Sequence, residues 1–457
     1  MLLVILKRLS VVIWLFLLMV SHVYSDTLTK ALENAYDNSD ELRIQRTLVR
    51  ENDEKVASGV AGKRPMISLN PSVSSGYSFS SSCMGFCNST TANISITAEA
   101  SVLDAGRSDI KILQAKEQIN IERLTLHEIE QDVLLTALKA FVDLRRNMEF
   151  VALERSSVAL LEKEIQAAKD RYAVGEITKT DVSFAESRLE SAKGQLSRQL
   201  GLMEISKEQY KLVVGLEPGD LQSPPNLPVL PGSLDIAKSN ALTKHPTIKK
   251  LNIASKISDL DLDLARANYK PKVGFSGSIS DTSASGKLSS TVSLGGELLL
   301  YGGGLRSSAE RSAIAKVEGS KIKLLLNSRK IMQGVANSWA QLNIARALIS
   351  ANIKQIKAAE IAYRGVKDEA EFGLRTTLDI LDAEQNLMAA KVQLASTKRD
   401  EYVRAYELLK AMGMLTAKNL NLNVIQHDVT KNYDAVKNAP RKNQFFKLDN
   451  LLKRWGQ

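Results

Sequence analysis

Residues that carry catalysis are scarce in this chain. It has four histidines and two cysteines in 457 residues, and no nucleophile elbow, phosphate loop or HExxH pattern occurs. His127 and His245 each stand alone in a stretch of helical composition, where a histidine far more often packs or faces solvent than reacts. Cys83 and Cys87 sit together in a Ser/Gly/Asn-rich turn, far from every histidine, so they lack the company a metal site needs. Long hydrophobic runs are missing too. Past the first residues no segment approaches the roughly 20 apolar residues that span a bilayer as a helix, so any membrane insertion has to use strands.

The one apolar run lies at the start. Lys7 and Arg8 precede an unbroken apolar stretch from Val11 to Val20, and His22-Val23-Tyr24-Ser25 leads into Asp26. A basic start, a short apolar centre and a small-residue exit predict a signal peptide over residues 1–25, cut after Ser25. The run is too short for a membrane anchor. Secretion permits a small disulfide loop between Cys83 and Cys87. It also argues against nucleic acid as the partner of a chain whose formal charge of +10 becomes +8 once Lys7 and Arg8 are gone. Most bases lie beside acids in helical stretches, a solvated and salt-bridged surface. Only Tyr433 to Gln457 is locally basic, with Phe445, Phe446 and Trp455 interleaved, and residues 425–457 read as a loosely ordered tail.

Comparing the halves sets the architecture. Phe141 and Trp339, Gly175 and Gly373, Asp181 and Asp379, Leu189 and Leu387, and Gly215 and Gly413 recur at an offset of 198, while Ala31 and Ala237, or Pro65 and Pro271, recur at 206. The difference falls in the segment that holds the cysteines. The chain therefore reads as two repeats, residues 26–223 and 233–424, joined by an extended proline-rich linker at 224–232.

Each repeat reads as a helix, two strands and two long helices. The opening helices, 27–62 and 233–268, stop just before Pro65 and Pro271. Then Ile67, Leu69, Val73, Tyr77 and Phe79 alternate with serines and Asn70, and Ile94, Ile96, Ala98 and Val102 alternate with Ser95, Thr97 and Glu99. Val273, Phe275 and Ile279, and later Leu288, Val292 and Leu294, repeat the pattern. Strands with one apolar and one small hydroxylated face, about 9–11 residues long, suit a membrane barrel. Four strands per chain fall short of the roughly eight that close one, so several copies have to share it. After the strands, 106–214 and 304–412 each predict two helices of about 60 residues, or roughly 90 Å, joined near Gly175 and Gly373. The fold class is an α+β membrane protein. An all-strand porin and a periplasmic coiled-coil rod are the rival readings.

Leu103-Asp104-Ala105-Gly106-Arg107 and Tyr301-Gly302-Gly303-Gly304 at the strand-to-helix corners resemble the TolC family of outer-membrane efflux and secretion proteins. So do the duplicated segments 173–182 and 372–383 and the ending 409–415; the order and duplication make the match specific. The resemblance implies a homotrimer whose shared transmembrane β-barrel continues into a long α-helical periplasmic barrel. Its partners would be outer-membrane lipid, a periplasmic adaptor protein and an inner-membrane efflux pump or ABC exporter, as in type I secretion, with no cofactor and no enzymatic activity.

The turns at Gly175 and Gly373 are expected at the periplasmic tips, since glycine permits the left-handed residue that ends one helix and Thr178, Thr376 or Thr377 can cap the next. By resemblance these tips dock the adaptor. Asp379 and Asp382, three apart at a helix start, share one face. In a trimer they would form two stacked acidic rings, where crowding raises the cost of ionisation and attracts cations. The resemblance places a gate there and adds a restraining network through Arg375 and Asp181. It also brings a departure: Ala370 stands where the family often has a gate tyrosine, while Tyr172 occupies the matching place in the first repeat.

Overall fold

A computed structural model describes residues 25–80, 85–283 and 287–438; for Ser25, 78–80, 85–87 and Lys287 the description covers the backbone only. The expected leader up to Tyr24, the expected Cys83–Cys87 bridge and the tail beyond Asn438 lie outside the described residues.

The chain begins with β1 (Ser25–Asp26), α1 (Leu28–Asn38), α2 (Asp40–Ala61), β2 (Met66–Ser80), β3 (Gly85–Leu103), α3 (Arg107–Ala173) and α4 (Lys179–Val214). After β4 (Asp220–Leu221) come α5 (Leu234–Lys244), α6 (Pro246–Ala267), β5 (Lys272–Thr282), β6 (Lys287–Glu297), α7 (Leu305–Glu371) and α8 (Thr377–Ala411), then the short α9 (Lys431–Val436). The order of two helices, two strands, a 67-residue helix and a shorter helix thus runs twice. Helices hold most of the described residues, which removes the all-strand porin, and a sheet is present, which removes the bare coiled-coil rod. Among the described residues no helix is long and apolar enough to cross a membrane.

Two expectations need correction. Each opening helix is broken in two. In the first, Ser39 turns extended (ψ 119°) and its Oγ accepts the Leu42 N–H at 3.3 Å, so the break is also the cap of α2. In the second, the Pro246 ring forces His245 into an extended conformation, and the His245 Nδ1 accepts the Thr247 N–H at 3.2 Å. The long helices are also unequal, 67 residues before each turn and 36 or 35 after it, rather than about 60 apiece. The reason is where the turns fall: Gly175 and Gly373 lie past the middle of 106–214 and 304–412, whose far ends are set, as expected, by the left-handed Gly215 (φ +82°) and Gly413 (φ +70°).

The chain divides into two compact units. One comprises the described residues up to Leu42 with Glu130–Ala241 and Met332–Ile425. Its core collects Leu28 and Leu32 of α1, Leu134, Leu138, Phe141 and Leu144 of α3, Tyr210 of α4 and Leu408 of α8, all essentially buried. The i, i+3 and i+4 spacing puts the α3 set on one stripe, and each such side chain contributes about 1.5–3 kcal/mol on burial. Phe141 and Tyr210 meet at 6.5 Å between ring centroids. The Tyr210 hydroxyl donates to Asp26 Oδ2 at 3.2 Å, and the Gly219 N–H donates to the same oxygen at 3.1 Å. Burial beside that carboxylate pushes the Tyr210 phenol far above its usual range.

The other unit holds Arg43–Ile129, Leu242–Ile331 and the residues from Gln426 on. It contains the antiparallel sheet in the order β2-β3-β5-β6, in which the β3–β5 pairing joins the two halves of the chain. Register places Leu69, Ile96 and Ile279 in line on one face, with Phe275 opposite Leu294. The other face lines up Ser68, Thr97, Ser278 and Thr291, and hydroxyl pairs Ser68–Thr97 and Ser276–Ser293 close at 2.6 Å. The apolar face is open: Leu69, Val73, Val292 and Leu294 are each more than 60% exposed. At the root of the sheet Asp104 accepts the Gly106 and Ser108 N–H groups, which caps α3. Arg107 donates to the carbonyls of Ala267 and Lys270, each at 2.7 Å, so the start of α3 is tied to the end of α6.

Gly215 tests the first unit. A Cβ there would lie 2.9 Å from the Asn38 side chain, whose Nδ2 donates to the Val214 carbonyl at 3.1 Å, and the φ is one that L residues rarely adopt. Gly215→Ala should lower stability by about 2 kcal/mol. Thermal unfolding of the purified protein measures this, and an unchanged midpoint would contradict it.

Candidate gate at the two helix turns

Both turns are built by the same local chemistry. In the first, the Glu176 N–H reaches back to the Arg171 carbonyl at 2.9 Å around Gly175 (φ +81°). In the second, the Leu374 N–H reaches the Glu369 carbonyl at 3.0 Å around Gly373 (φ +73°). Each is a Schellman-type ending, which needs a residue with positive φ. The next helix then starts with a reciprocal cap. Thr178 Oγ1 accepts the Asp181 N–H at 3.3 Å, while Asp181 Oδ2 accepts the Thr178 N–H at 2.9 Å and its hydroxyl at 2.8 Å. Thr376 and Asp379 repeat this at 3.2, 2.9 and 2.8 Å. Aspartate thus fills the position that glutamate or glutamine usually takes in a capping box. Thr377 is the first residue of α8 and is buried; Thr376 is the cap.

The caps decide the charge state. The backbone N–H of Thr376, and then its hydroxyl, hold the Asp379 carboxyl below the usual carboxylate range, and Thr178 does the same for Asp181. Within the chain this is opposite to the direction expected from crowding. A depressed carboxyl supports its cap fully above the unfolded-state pKa, and that support is lost only as pH falls through the lower folded value.

The two turns face one cleft of about 650 Å³, lined by Gly175, Thr178 and Asp181 from the first and Gly373, Arg375 and Thr376 from the second. The four gate residues named from the sequence have separate partners. Arg375 Nε donates to Glu369 Oε2 at 2.8 Å, not to Asp181, and Asp379 contributes only a weaker attraction to it. Asp382 Oδ1 accepts from Arg188 of α4 at 2.7 Å. Asp181 is held by the N–H and hydroxyl of its own cap, Thr178. Within one chain Arg375 and Asp181 are thus each held by a local partner. Ala370 is buried, whereas Tyr172 is half exposed. Among the described residues no cluster of three or more His, Cys, Asp or Glu is placed to hold a metal ion.

Sequence reasoning missed three residues that bind the helices together beside this cleft. Glu384, 7% exposed, accepts from the Ser157 hydroxyl of α3 at 2.8 Å; burial raises its pKa, against the lowering effect of that hydrogen bond. Lys367 of α7 donates to Glu164 of α3 at 2.8 Å. Arg188 ties α4 to α8 through Asp382. Glu384 left a signal: it falls on the stripe made by Leu381 and Leu387, where helical spacing calls for an apolar residue. Leu161, Ala185, Leu189 and Leu381 form the apolar cluster beneath.

Comparison with known proteins bears on the same region. Residues 237–414 match the family described as outer membrane efflux protein. The chain is 30% identical over 419 residues to the outer membrane efflux protein BepC of Brucella suis biovar 1 (strain 1330), covering 90% of this chain and 91% of that one. It is 23% identical over 365 residues to the outer membrane protein TolC of Escherichia coli (strain K12), covering 73% and 71%. Among solved structures, the Campylobacter jejuni CmeC outer membrane channel superposes with a TM-score of 0.74 at 12% identity, covering 92% of this chain and 91% of that one. That likeness is one of fold. With the BepC match running nearly end to end, the chain belongs to the outer membrane efflux protein family.

Proposed function

We propose that the protein is an outer-membrane exit duct that works as a homotrimer, receiving cargo through a periplasmic adaptor from an inner-membrane efflux pump or ABC exporter. One observation carries this reading: a four-stranded sheet with an exposed apolar face, a hydroxylated face and, among the described residues, two unpaired edges. Bare edges in lipid leave N–H and C=O groups without partners, and only a closed barrel removes them. Three copies supply more than the roughly eight strands a barrel needs and put Ser68, Thr97, Ser278 and Thr291 on its wet side. Residues 1–25 act as the export signal; cutting after Ser25 leaves Asp26 as the anchor point for Tyr210. The BepC likeness favours efflux, and cargo choice rests with the inner-membrane partner.

The collar at the root of the sheet fits a membrane boundary. Tyr301 is 86% exposed, Tyr269 lies under the Arg306 guanidinium at 5.8 Å, and Lys272 pairs with Glu297 at 2.7 Å. Aromatic rings and basic groups collect where lipid meets water. The cleft at the two turns is a second functional region: the tips dock the adaptor, and Asp379 and Asp382, repeated in three copies, form a cation-attracting constriction. Arg375 and Arg188 restrain it in the resting state, with Asp181 holding the neighbouring turn.

Placement of the sheet is checked by a charge on each face. Val292→Lys should cost about 2–4 kcal/mol near the bilayer centre and reduce the membrane-inserted trimer, while Ser278→Lys should leave insertion intact. Equal tolerance in outer-membrane fractions would reject the assignment of faces.

For the constriction, planar-bilayer recordings of Asp379→Ala combined with Asp382→Ala should show weaker cation selectivity and weaker block by divalent ions. Because the cap lowers the Asp379 carboxyl, the part of the selectivity lost in Asp379→Ala alone should persist below the ordinary Asp pKa of about 3.9 and fade only at lower pH. Arg375→Ser should raise resting conductance. Wild-type behaviour in every variant would place the constriction elsewhere.

A further inference from the structure

A second cavity, of about 280 Å³, lies further along α3, α4 and α8, in the same compact unit as the two turns. That volume is near the lower end of the range for small-molecule sites, roughly 300 to 1,000 Å³. The lining is of two kinds. Phe150 and Leu161 of α3 and Met388 of α8 give an apolar wall, while Glu154 of α3 and Glu384 of α8 bring carboxylates.

Glu384 is the buried one of the pair. The Ser157 hydroxyl donates to its Oε1 at 2.8 Å; among the described residues its Oε2 accepts no hydrogen bond and no cation stands within ion-pair distance. Two guanidinium groups also line the cavity, but both are engaged. Arg188 donates to Asp382 at 2.7 Å, and Arg198 acts on Glu154. Counting Asp382, the carboxylates around the cavity outnumber the guanidinium groups by one. Burial is the largest cause raising the pKa of Glu384 and of Glu154. A buried carboxylate without a cation is costly, and it is relieved by taking up a proton or a positive group. The lining decides which positive group fits. A hard metal ion needs several oxygen ligands, and among the described residues no three acidic, His or Cys side chains are grouped to supply them. An ammonium group on an apolar body meets both the carboxylate and the wall.

We propose that this cavity binds a small organic cation, its ammonium group on Glu384 and its apolar body against Phe150, Leu161 and Met388. The site goes beyond the duct reading and does not rest on it. An occupant would fasten α8, the helix that carries Asp379 and Asp382, to α3 and α4.

Isothermal titration calorimetry of the full-length protein in detergent tests this with three probes of similar shape: phenethylammonium, the neutral 2-phenylethanol and the anionic 3-phenylpropionate. Heats of titration into the same detergent without protein are subtracted. Phenethylammonium should bind about tenfold more tightly than the alcohol, as a charge-assisted hydrogen bond supplies. Glu384→Gln should abolish that preference and leave the alcohol's affinity in place. Met388→Trp, which fills the cavity and keeps both carboxylates, should abolish binding of either probe, so the test survives even if Glu384→Gln does not fold. Equal affinity for cation and alcohol, tighter binding of the anion, a preference that outlasts Glu384→Gln, binding that outlasts Met388→Trp, or no binding at all would each overturn the inference. The proposed duct is judged separately, by membrane insertion and conductance, and stands or falls without these results.

Discussion

A backbone that enters lipid has to satisfy every N–H and C=O within protein, and the four-stranded sheet of this chain does so only between its own strands. Among the described residues the outer edges of β2 and β6 remain open. The same sheet exposes Leu69, Val73, Val292 and Leu294 on one face, a patch that a soluble protein would cover. Both features are costly in an isolated chain in water, and a shared barrel in lipid relieves both at once. The proposed trimer follows from this constraint more than from any single contact.

The root of the sheet shows how the two halves are made to cooperate. Strand β3 of the first half pairs with β5 of the second, and Arg107, at the start of α3, donates to the carbonyls that end α6. A positively charged fork on the Ala267 and Lys270 carbonyls, at and just past the end of α6, suits the negative pole of that helix. Asp104 supplies the matching acceptor for the first N–H groups of α3. The Leu103–Arg107 segment is thus a corner that turns a strand into a long helix and locks it to the other half. At the turns around Gly175 and Gly373, a glycine ending and a Thr–Asp cap do comparable work with purely local bonds. Those caps take up one oxygen each of Asp181 and Asp379, and Arg188, Lys367 and Glu384 tie the neighbouring helices together.

Much of this is legible in residue spacing. The alternation of Leu69 or Val292 with serines sets strand and face, because side chains in a strand have period two and only one phase suits lipid. The glycines at 175 and 373 mark the turns, since few other residues tolerate positive φ. The break at Pro246 has a signal of its own, because a proline supplies no N–H to a helix and pushes the residue ahead of it out of the helical region. The break at Ser39 has none, because serine is tolerated within helices and its capping role emerges only with the Leu42 N–H in place.

By itself the sequence determined the elements, their duplication, the two faces of the sheet and the identity of the turn residues, all properties of spacing along the chain. Tertiary structure alone decided the pairings. Arg375 chose Glu369, Asp382 chose Arg188, Glu384 was buried against Ser157, and the Asn438 carbonyl met Arg64. Apart from Arg375 and Glu369, these partners lie far apart in sequence, and a long charged side chain has several candidates within reach. Which bond forms depends on how helices hundreds of residues apart are set against one another, and local periodicity carries no record of that.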